Sequence, residues 1–524
     1  MNGAQAVRPT QGGGPPEPTQ AAVSELLKPQ ELLTELGWPG PDEELGLPIP
    51  IDVRGIVDPS AERRVTVTAG ADAGGLRLTL CSILERVNGP IALSVLLDEA
   101  VVEAVVEVAR RVERSVPGMR IVRATAPAPG TEVFAEGEQM PWNLPRDTPK
   151  PAAPSIAYLL PGLPPEGSGG SHSLVQEARG LRALGCEARI CVPLDALAVA
   201  TALYGNADEL FVAYAQPEDV LEAIGSASVA VATEHPSLPM LQRLRQARPE
   251  LVCAYYVQDY EPLFGAPESA RSDRALLSYR AIPDQLLFSK THWLRNVVTA
   301  RHGVPTAKVQ PSLDHELFHA DGRSEEDGVV RIAAMVRPRT PRRRPAATLQ
   351  VLEAIRDQLG GRLRTITFGC DAEAFAQIAG ELSPAAGPAD GDAAATHRGL
   401  LTREQVAEEM RRCDVFIDFS AYQAFGRSGL EAMACGAVPV LPALGGVHEY
   451  AEHERNALIF HDDRPTAIAE GVLDLVADRE RLQRLREEGL RTVTRFSIQQ
   501  AAQSQLELFA AAIGRRASPV TVSL

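Results

Sequence analysis

Two long stretches of this chain repeat one pattern: a short apolar run rich in Val, Ile and Ala, a turn, then apolar residues at helical spacing. The first stretch opens at Ser155–Leu160 (SIAYLL) and ends at a polar boundary, His319–Asp327. The second opens at Val329–Val336 (VVRIAAMV) and ends at a break, Phe496–Ser497. Short, continuous apolar runs read as strands buried on both faces, and strands alternating with helices require a parallel sheet. The expected fold class is therefore α/β, with two doubly wound, Rossmann-like domains facing a cleft. Ligands in such sheets sit at the carboxyl ends of the strands.

A smaller alternation precedes these blocks. Strands at Arg64–Gly70, Ile91–Leu97 and Met119–Ala124, with helices at Leu76–Val87 and Glu99–Val116, predict an accessory α/β module over 22–126. It opens on a short amphipathic helix, Ala22–Leu36, behind a Gly-, Pro- and Gln-rich stretch, 1–21, expected to be disordered. Seven prolines between Pro127 and Pro154 mark 127–154 as a linker. The large domains are expected over 155–325 and 326–497, with a last helix near Ile498–Ile513 in the segment 498–524. A loop is expected at Ser383–Thr396.

Composition narrows the function classes. The formal charge is 52 − 68 = −16, so no nucleic-acid partner is expected. The seven cysteines are an odd number with no C-x-x-C, and most lie in apolar runs, as in a reduced, cytoplasmic protein without a thiolate metal site. No apolar stretch reaches the ~18 residues of a membrane span, and the first twenty residues have no signal-peptide core. Peripheral contact with the inner membrane face stays open.

Chemistry concentrates at 402–460. Thr402 and Gln405 form a capping-box pattern, Val415–Ser420 (VFIDFS) reads as a strand, and a helix is expected from about Gly429 (GLEAMACG). A strand at Val438–Leu441 ends in a turn with Gly445, Gly446, His448 and Glu449. The loop into the helix, Gly426, Arg427, Ser428, Gly429 and Leu430, would present free N–H groups and a positive dipole end to a phosphate. Glu431 could then accept both hydroxyls of a ribose. Read alone, the same residues fit an ordinary βα connection in which Glu431 only complements the dipole. Upstream, six arginines fall between Arg331 and Arg344 at the carboxyl end of a strand. They fit either a solvated basic face or an anion clamp.

The run FGRSGLEAMACGAVPV followed by GG-x-x-E resembles the donor signature of glycosyltransferase family 4. That resemblance implies the GT-B fold, retention at the transferred sugar, and no metal. The family carries two glutamates with seven residues between; here the positions hold Gln423 and Glu431. It also places an Arg after the strand and a basic residue about six later on the donor diphosphate, which points to Arg337 and Arg343, with Arg342 the near alternative. By the same likeness, Gly169 and Gly170 of the loop Gly167–Gly170 approach the donor phosphate. His172 and His235 are candidate cleft residues; His235 follows the strand Val229–Thr233, where a surface or capping histidine fits equally well. Gln258 stands where many members have His. Asp259 and Glu261 would face the acceptor hydroxyl or donor sugar, so Asp259, Glu261 and Gln423 are the catalytic candidates; read alone, Asp259 and Glu261 equally fit a pair of loop caps. YYVQDYEPLF, SYR, FSKTHWL and YQAFGR resemble one branch, the rhamnosyltransferases of surface-polysaccharide assembly. The likeness covers roughly 155–510 and implies that the final helix crosses back onto the first large domain.

The expectation is a metal-independent, retaining glycosyltransferase of hexosyltransferase type without a cofactor. It would move a sugar, rhamnose by branch resemblance, from a nucleotide diphosphate sugar to a glycan, a lipid-linked glycan or a small-molecule acceptor. The large domains would be the acceptor domain (155–325) and the donor domain (326–497). The second reading is a non-catalytic nucleotide-sugar- or glycan-binding scaffold in a polysaccharide assembly complex, motivated by Gln423 and Gln258; a GT-B epimerase is the third. The module over 64–124 faintly resembles the start of a family-2 nucleotide domain, with Asp98 after its second strand but no downstream Asp-x-Asp. It is expected to serve docking or a homo-oligomer.

Overall fold

The computed structural model describes residues 154–517, apart from 207–208, 265–268, 324–327, 383–394 and 462–463, and before them strands and scattered helical positions between 64 and 135. The expectations for 1–21, for Ala22–Leu36, for Asp98 and for most of the loop at 383–396 lie outside the described residues.

The described strands form three sheets, and all their pairings are parallel. The first holds β1 (Arg64–Ala69), β2 (Ala92–Leu97), β3 (Arg120–Arg123) and β4 (Glu132–Ala135), in the order β3-β2-β1-β4. β4 corrects the linker expectation. Glu132 to Ala135 pair with Val65 to Thr68 of β1, and Thr79 Oγ1 donates to the Ala135 carbonyl. The prolines that suggested a linker flank this four-residue β-forming stretch without entering it, so they do not prevent it from completing the free edge of β1.

The second sheet contains β5 (Ser155–Leu159), β6 (Glu187–Pro193), β7 (Phe211–Tyr214), β8 (Val229–Ala232), β9 (Val252–Tyr256), β10 (Leu286–Ser289) and β11 (Thr306–Lys308). Its order is β11-β10-β9-β8-β5-β6-β7. The third contains β12 (Val330–Met335), β13 (Leu363–Phe368), β14 (Ala395–His397), β15 (Val415–Ile417), β16 (Val438–Pro442) and β17 (Leu458–Phe460), in the order β14-β13-β12-β15-β16-β17. In both, the chain starts in the middle, winds outward, and then returns to the other side of its first strand. The switch points lie between β5 and β8 and between β12 and β15, where the crossovers diverge and leave a crevice.

Alternation along β5 shows why the sheet is buried on both faces. Ile156 and Tyr158 enter one core with Val229, Val231 and Tyr256, while Ala157 and Leu159 enter the other with Ala230, Ala232 and Tyr255. Four helices position the site: α1 (Gly169–Ala183), α2 (His292–His302), α3 (Arg427–Ala434) and α4 (Ile498–Ala517). Although α4 follows the third sheet in the chain, it packs on the second. Ala502, Leu508, Phe509 and Ala512 join the Tyr158 core, and Tyr158 donates to Gln505 Oε1 at 2.6 Å. Gly180 of α1 permits this approach, because a Cβ there would meet Ala502 at 2.8 Å and Ile498 at 2.9 Å.

Candidate active site

The loops that leave β5, β8, β12 and β15 meet at the two switch points. After β5, Gly167 takes a positive φ of 69°, and Ser168 caps α1 in a reciprocal capping box with Ser171. α1 therefore starts five residues before the expected helix, and Gly169 and Gly170 are its first turn rather than a loop. A Cβ on Gly169 would meet nothing within 4 Å, while one on Gly170 would press the Gln258 side chain at 3.2 Å. The two glycines thus keep the helix start open and let Gln258 lie against it.

Arginines converge from the third sheet. Arg337, just past β12, is largely buried, and its Nε has no hydrogen-bond partner among the described residues. Arg342 pairs with Asp259 across the cleft at 3.1 Å and lies over the Phe264 and Tyr422 rings. Arg343 pairs with Asp418 at 3.1 Å, and burial pulls its guanidinium down to about 10. Both alternatives for the second basic residue therefore reach the site, on different carboxylates. His172 accompanies them. Its Nδ1 meets the Tyr204 hydroxyl at 2.8 Å, and burial, with Arg403, Arg427 and Arg337 nearby, lowers its pKa to about 3. The imidazole is neutral at physiological pH.

Gln423 is buried and donates through Nε2 to Asp418 at 2.5 Å and to Ser420 Oγ at 3.1 Å. At the start of α3, Gly426 has a φ of 80°, and its carbonyl already receives the Gly429 and Leu430 N–H groups. The N–H groups of Gly426, Arg427 and Ser428 make no such bond among the described residues. Gly429 is a packing glycine, since a Cβ would lie 2.4 Å from the Tyr450 hydroxyl. The Arg427 side chain ties the domains together, reaching Ser173, Gln176, Ser312 and Glu431. Glu431 sits between Arg427 at 3.2 Å and Arg403 at 3.8 Å.

Glu261 departs from expectation. One oxygen accepts from Tyr255 at 2.7 Å, and the other takes both the His235 N–H and Nδ1, so the carboxylate holds the loop after β8 instead of facing a substrate hydroxyl. His235 is turned the same way by that contact. Glu234 beside them is raised to about 7 by burial and by the Glu261 charge. Glu449 of the GG-x-x-E turn holds the half of the molecule built on the second sheet, contacting the His292 N–H, His292 Nδ1 and Lys308 Nζ at 2.5, 2.8 and 3.3 Å.

Three site residues escaped the sequence. Asp418 was hidden inside the apolar run VFIDFS, where a lone acid was itself a signal. Lys290, one of only four lysines, is buried on Ser173 Oγ at 2.7 Å under the Tyr256 and Phe425 rings, and burial lowers it to about 8. Arg403 follows a capping residue and looked like helix surface. Beside the cleft, at the carboxyl ends of β5 to β8, is a cavity of about 760 Å³. Pro161, Pro193, Tyr214, Pro236, Pro239 and Met240 contribute to its mostly apolar wall. Among the described residues no cluster of His, Cys, Asp or Glu is arranged to hold a metal, and no helix is long and apolar enough to cross a membrane.

Residues 394–492 match the family Glycosyl transferases group 1. They contain β15, the Gln423 loop, α3 and the Glu449 turn. That segment is similar to a group 1 glycosyltransferase domain. Solved structures extend the likeness to the whole cleft. Anabaena Alr3699/HepE in complex with UDP and glucose superposes with a TM-score of 0.56 at 15% identity, over 68% of this chain and 100% of that one. Sucrose-phosphate synthase from Thermosynechococcus elongatus gives 0.53 at 16%, over 70% and 99%. The fold is GT-B, with the small N-terminal sheet in addition. Among sequence relatives, the O-antigen biosynthesis protein RfbC of Myxococcus xanthus is 29% identical over 36% of this chain and 13% of its own length. The alpha-maltose-1-phosphate synthase of Mycolicibacterium smegmatis is 32% identical over 21% and 31%. A D-inositol 3-phosphate glycosyltransferase of Stackebrandtia nassauensis is 31% identical over 32% and 38%. The chain thus spans less than two fifths of the length of each of these relatives.

Proposed function

We propose that this group 1 glycosyltransferase domain works in a retaining, metal-independent enzyme that moves a sugar from a nucleotide diphosphate sugar to a hydroxyl acceptor, without a resident cofactor. The observation that carries the reading is Arg337: a guanidinium at the β12–β15 switch point whose buried Nε has no hydrogen-bond partner among the described residues. A buried cation of this kind is costly unless an anion completes it.

In this reading Arg337, Arg343 and the free N–H groups of Arg427 and Ser428 hold the diphosphate, and Glu431 takes the ribose hydroxyls. The bond between the sugar carbon and the diphosphate oxygen breaks as the acceptor oxygen bonds to that carbon on the same face. The acceptor proton passes to the departing phosphate, so no protein base is needed. The arginines stabilise the charge that builds on the diphosphate, and closure of the two domains excludes water. The neutral His172 adds no charge of its own. The apolar cavity beside β5 and β8 is assigned to the acceptor, whether a glycan, a lipid-linked glycan or a small glycoside.

UDP and glucose in the Anabaena complex support a uridine or related donor. The branch resemblance and the O-antigen relative support rhamnose from a deoxythymidine diphosphate donor. Mass spectrometry of the protein incubated with a panel of nucleotide sugars, with and without glycoside acceptors, tests the proposal. Release of one nucleoside diphosphate is the expected result. Binding of a donor with no release in the presence of varied acceptors would favour the scaffold reading instead.

A further inference from the structure

The usual pair of glutamates is broken here by Gln423, and the geometry shows where the missing charge has gone. The Gln423 amide must turn its NH2 toward Asp418, because a carboxylate only accepts. Asp418 Oδ2 receives Gln423 Nε2 at 2.5 Å and Arg343 Nη1 at 3.1 Å. Its Oδ1 receives the Ser420 N–H at 3.1 Å and the Ser420 hydroxyl. The Asp418 backbone N–H is fixed on the Val440 carbonyl at 2.9 Å. The carboxylate is thus held by its own loop and faces both the donor arginine and the motif amide.

This arrangement leaves one atom spare. Gln423 Oε1 has no partner among the described residues, while Nε2 spends its hydrogens on Asp418 and Ser420. The amide therefore offers a fixed acceptor and no charge. A glutamate at 423 would place an oxygen where Nε2 now stands, 2.5 Å from Asp418 Oδ2. Two carboxylates that close cannot both ionise. Positions 418 and 423 are a matched set: one acid, one amide.

We propose that Asp418 is a positioning residue that replaces the first glutamate's charge, orienting Arg343 for the donor diphosphate and Gln423 Oε1 for a hydroxyl of the donor sugar. The proposal deepens the donor-site reading and rests on it for the ligand. It makes Gln423 a required residue of a working site, with no loss of function implied by the missing glutamate.

The test is a charge-transposition cycle of four proteins: the wild type, Gln423→Glu, Asp418→Asn, and the double variant Asp418→Asn with Gln423→Glu. Each is measured for UDP and dTDP affinity by calorimetry, for donor KM and kcat, and for thermal unfolding. Each single change is expected to cost about tenfold or more in affinity or turnover, the scale of a charged hydrogen bond. The Gln423→Glu loss deepens from pH 5 to pH 8 as the shared proton leaves. The double variant recovers part of the single losses and melts above both singles, because it again holds one acid and one amide, though Arg343 no longer faces the acid at 418. A double variant that shows only the summed losses, or a Gln423→Glu protein with unchanged activity at every pH, overturns the proposal. Unfolding separates the two layers. If the double variant melts above both singles but no protein binds a nucleoside diphosphate, the donor reading fails and the role given to Asp418 fails with it, leaving only the matched pair. If wild type turns over donor and the coupling is absent, the matched pair alone fails.

Discussion

Arg337 and His172 show what a single side chain discloses in sequence and what it does not. A basic run after an apolar strand was visible, and the strand's carboxyl end gave its direction. Which arginine would lack an ion pair with Asp259 or Asp418 was not visible, because these carboxylates, which hold Arg342 and Arg343, come from other strand ends. Arg337→Ala should weaken nucleoside diphosphate binding by about 10- to 100-fold, the worth of one charge-assisted contact in a dry cleft. Calorimetric titration with UDP checks it, and unchanged affinity removes Arg337 from the clamp. His172 carries a pH prediction. Its folded pKa of about 3 lies below the ordinary 6.5, so the unfolded chain takes up a proton that the folded chain refuses. The stability this residue contributes is complete above 6.5 and is lost as pH falls from 6.5 towards 3. His172→Asn should lower the pH slope of the unfolding free energy in that window by up to one proton. Denaturant titrations at pH 4, 5, 6 and 7 measure the slope.

Secondary elements were legible to within a few residues because their signals are local. The strand at Ser155, the Thr402–Gln405 capping box and the final helix all follow from periodicity and capping chemistry. Misses came where a capping device or a distant sheet edge outweighed composition. The Ser168–Ser171 box pulled two glycines into α1, and a free sheet edge made a strand of 132–135. Gly429 is another such case: its motif position suggested phosphate approach, whereas its space is filled by Tyr450 and Leu441. Gly429→Ala should therefore cost about 1–3 kcal/mol through overpacking. A urea midpoint equal to wild type would show that Tyr450 can move aside. Ser168→Ala should cost about 1 kcal/mol as the α1 cap is lost. Thermal unfolding reads that change, and an unaltered Tm would mean Ser171 alone suffices.

At the scale of the whole molecule, the two sheets are joined by polar contacts through the cleft and by α4 behind it. Glu449 is the most concentrated of these contacts: burial alone would raise its pKa, yet His292 and Lys308 hold it at about 2. Its contribution is present above the ordinary carboxylate value near 4.5 and is lost as pH falls from there towards 2. Glu449→Gln removes the charge that faces buried Lys308 and His292 and should cost about 3 kcal/mol, opening the cleft. Small-angle scattering would register a larger radius of gyration, and an unchanged radius would assign closure to Arg427 and α4. The sequence by itself determined that this chain builds parallel sheets, where each sheet starts, and which loops emerge at the carboxyl ends. Those properties depend on periodicity and on neighbours a few residues apart. Only the tertiary structure decided that Glu261 and Arg427 are spent on internal contacts, that Asp418 sits against Gln423, and that Arg337 keeps an unpartnered nitrogen. Such roles depend on partners brought together from distant strand ends, and a carboxylate or guanidinium carries no mark in the sequence of the partner it will meet.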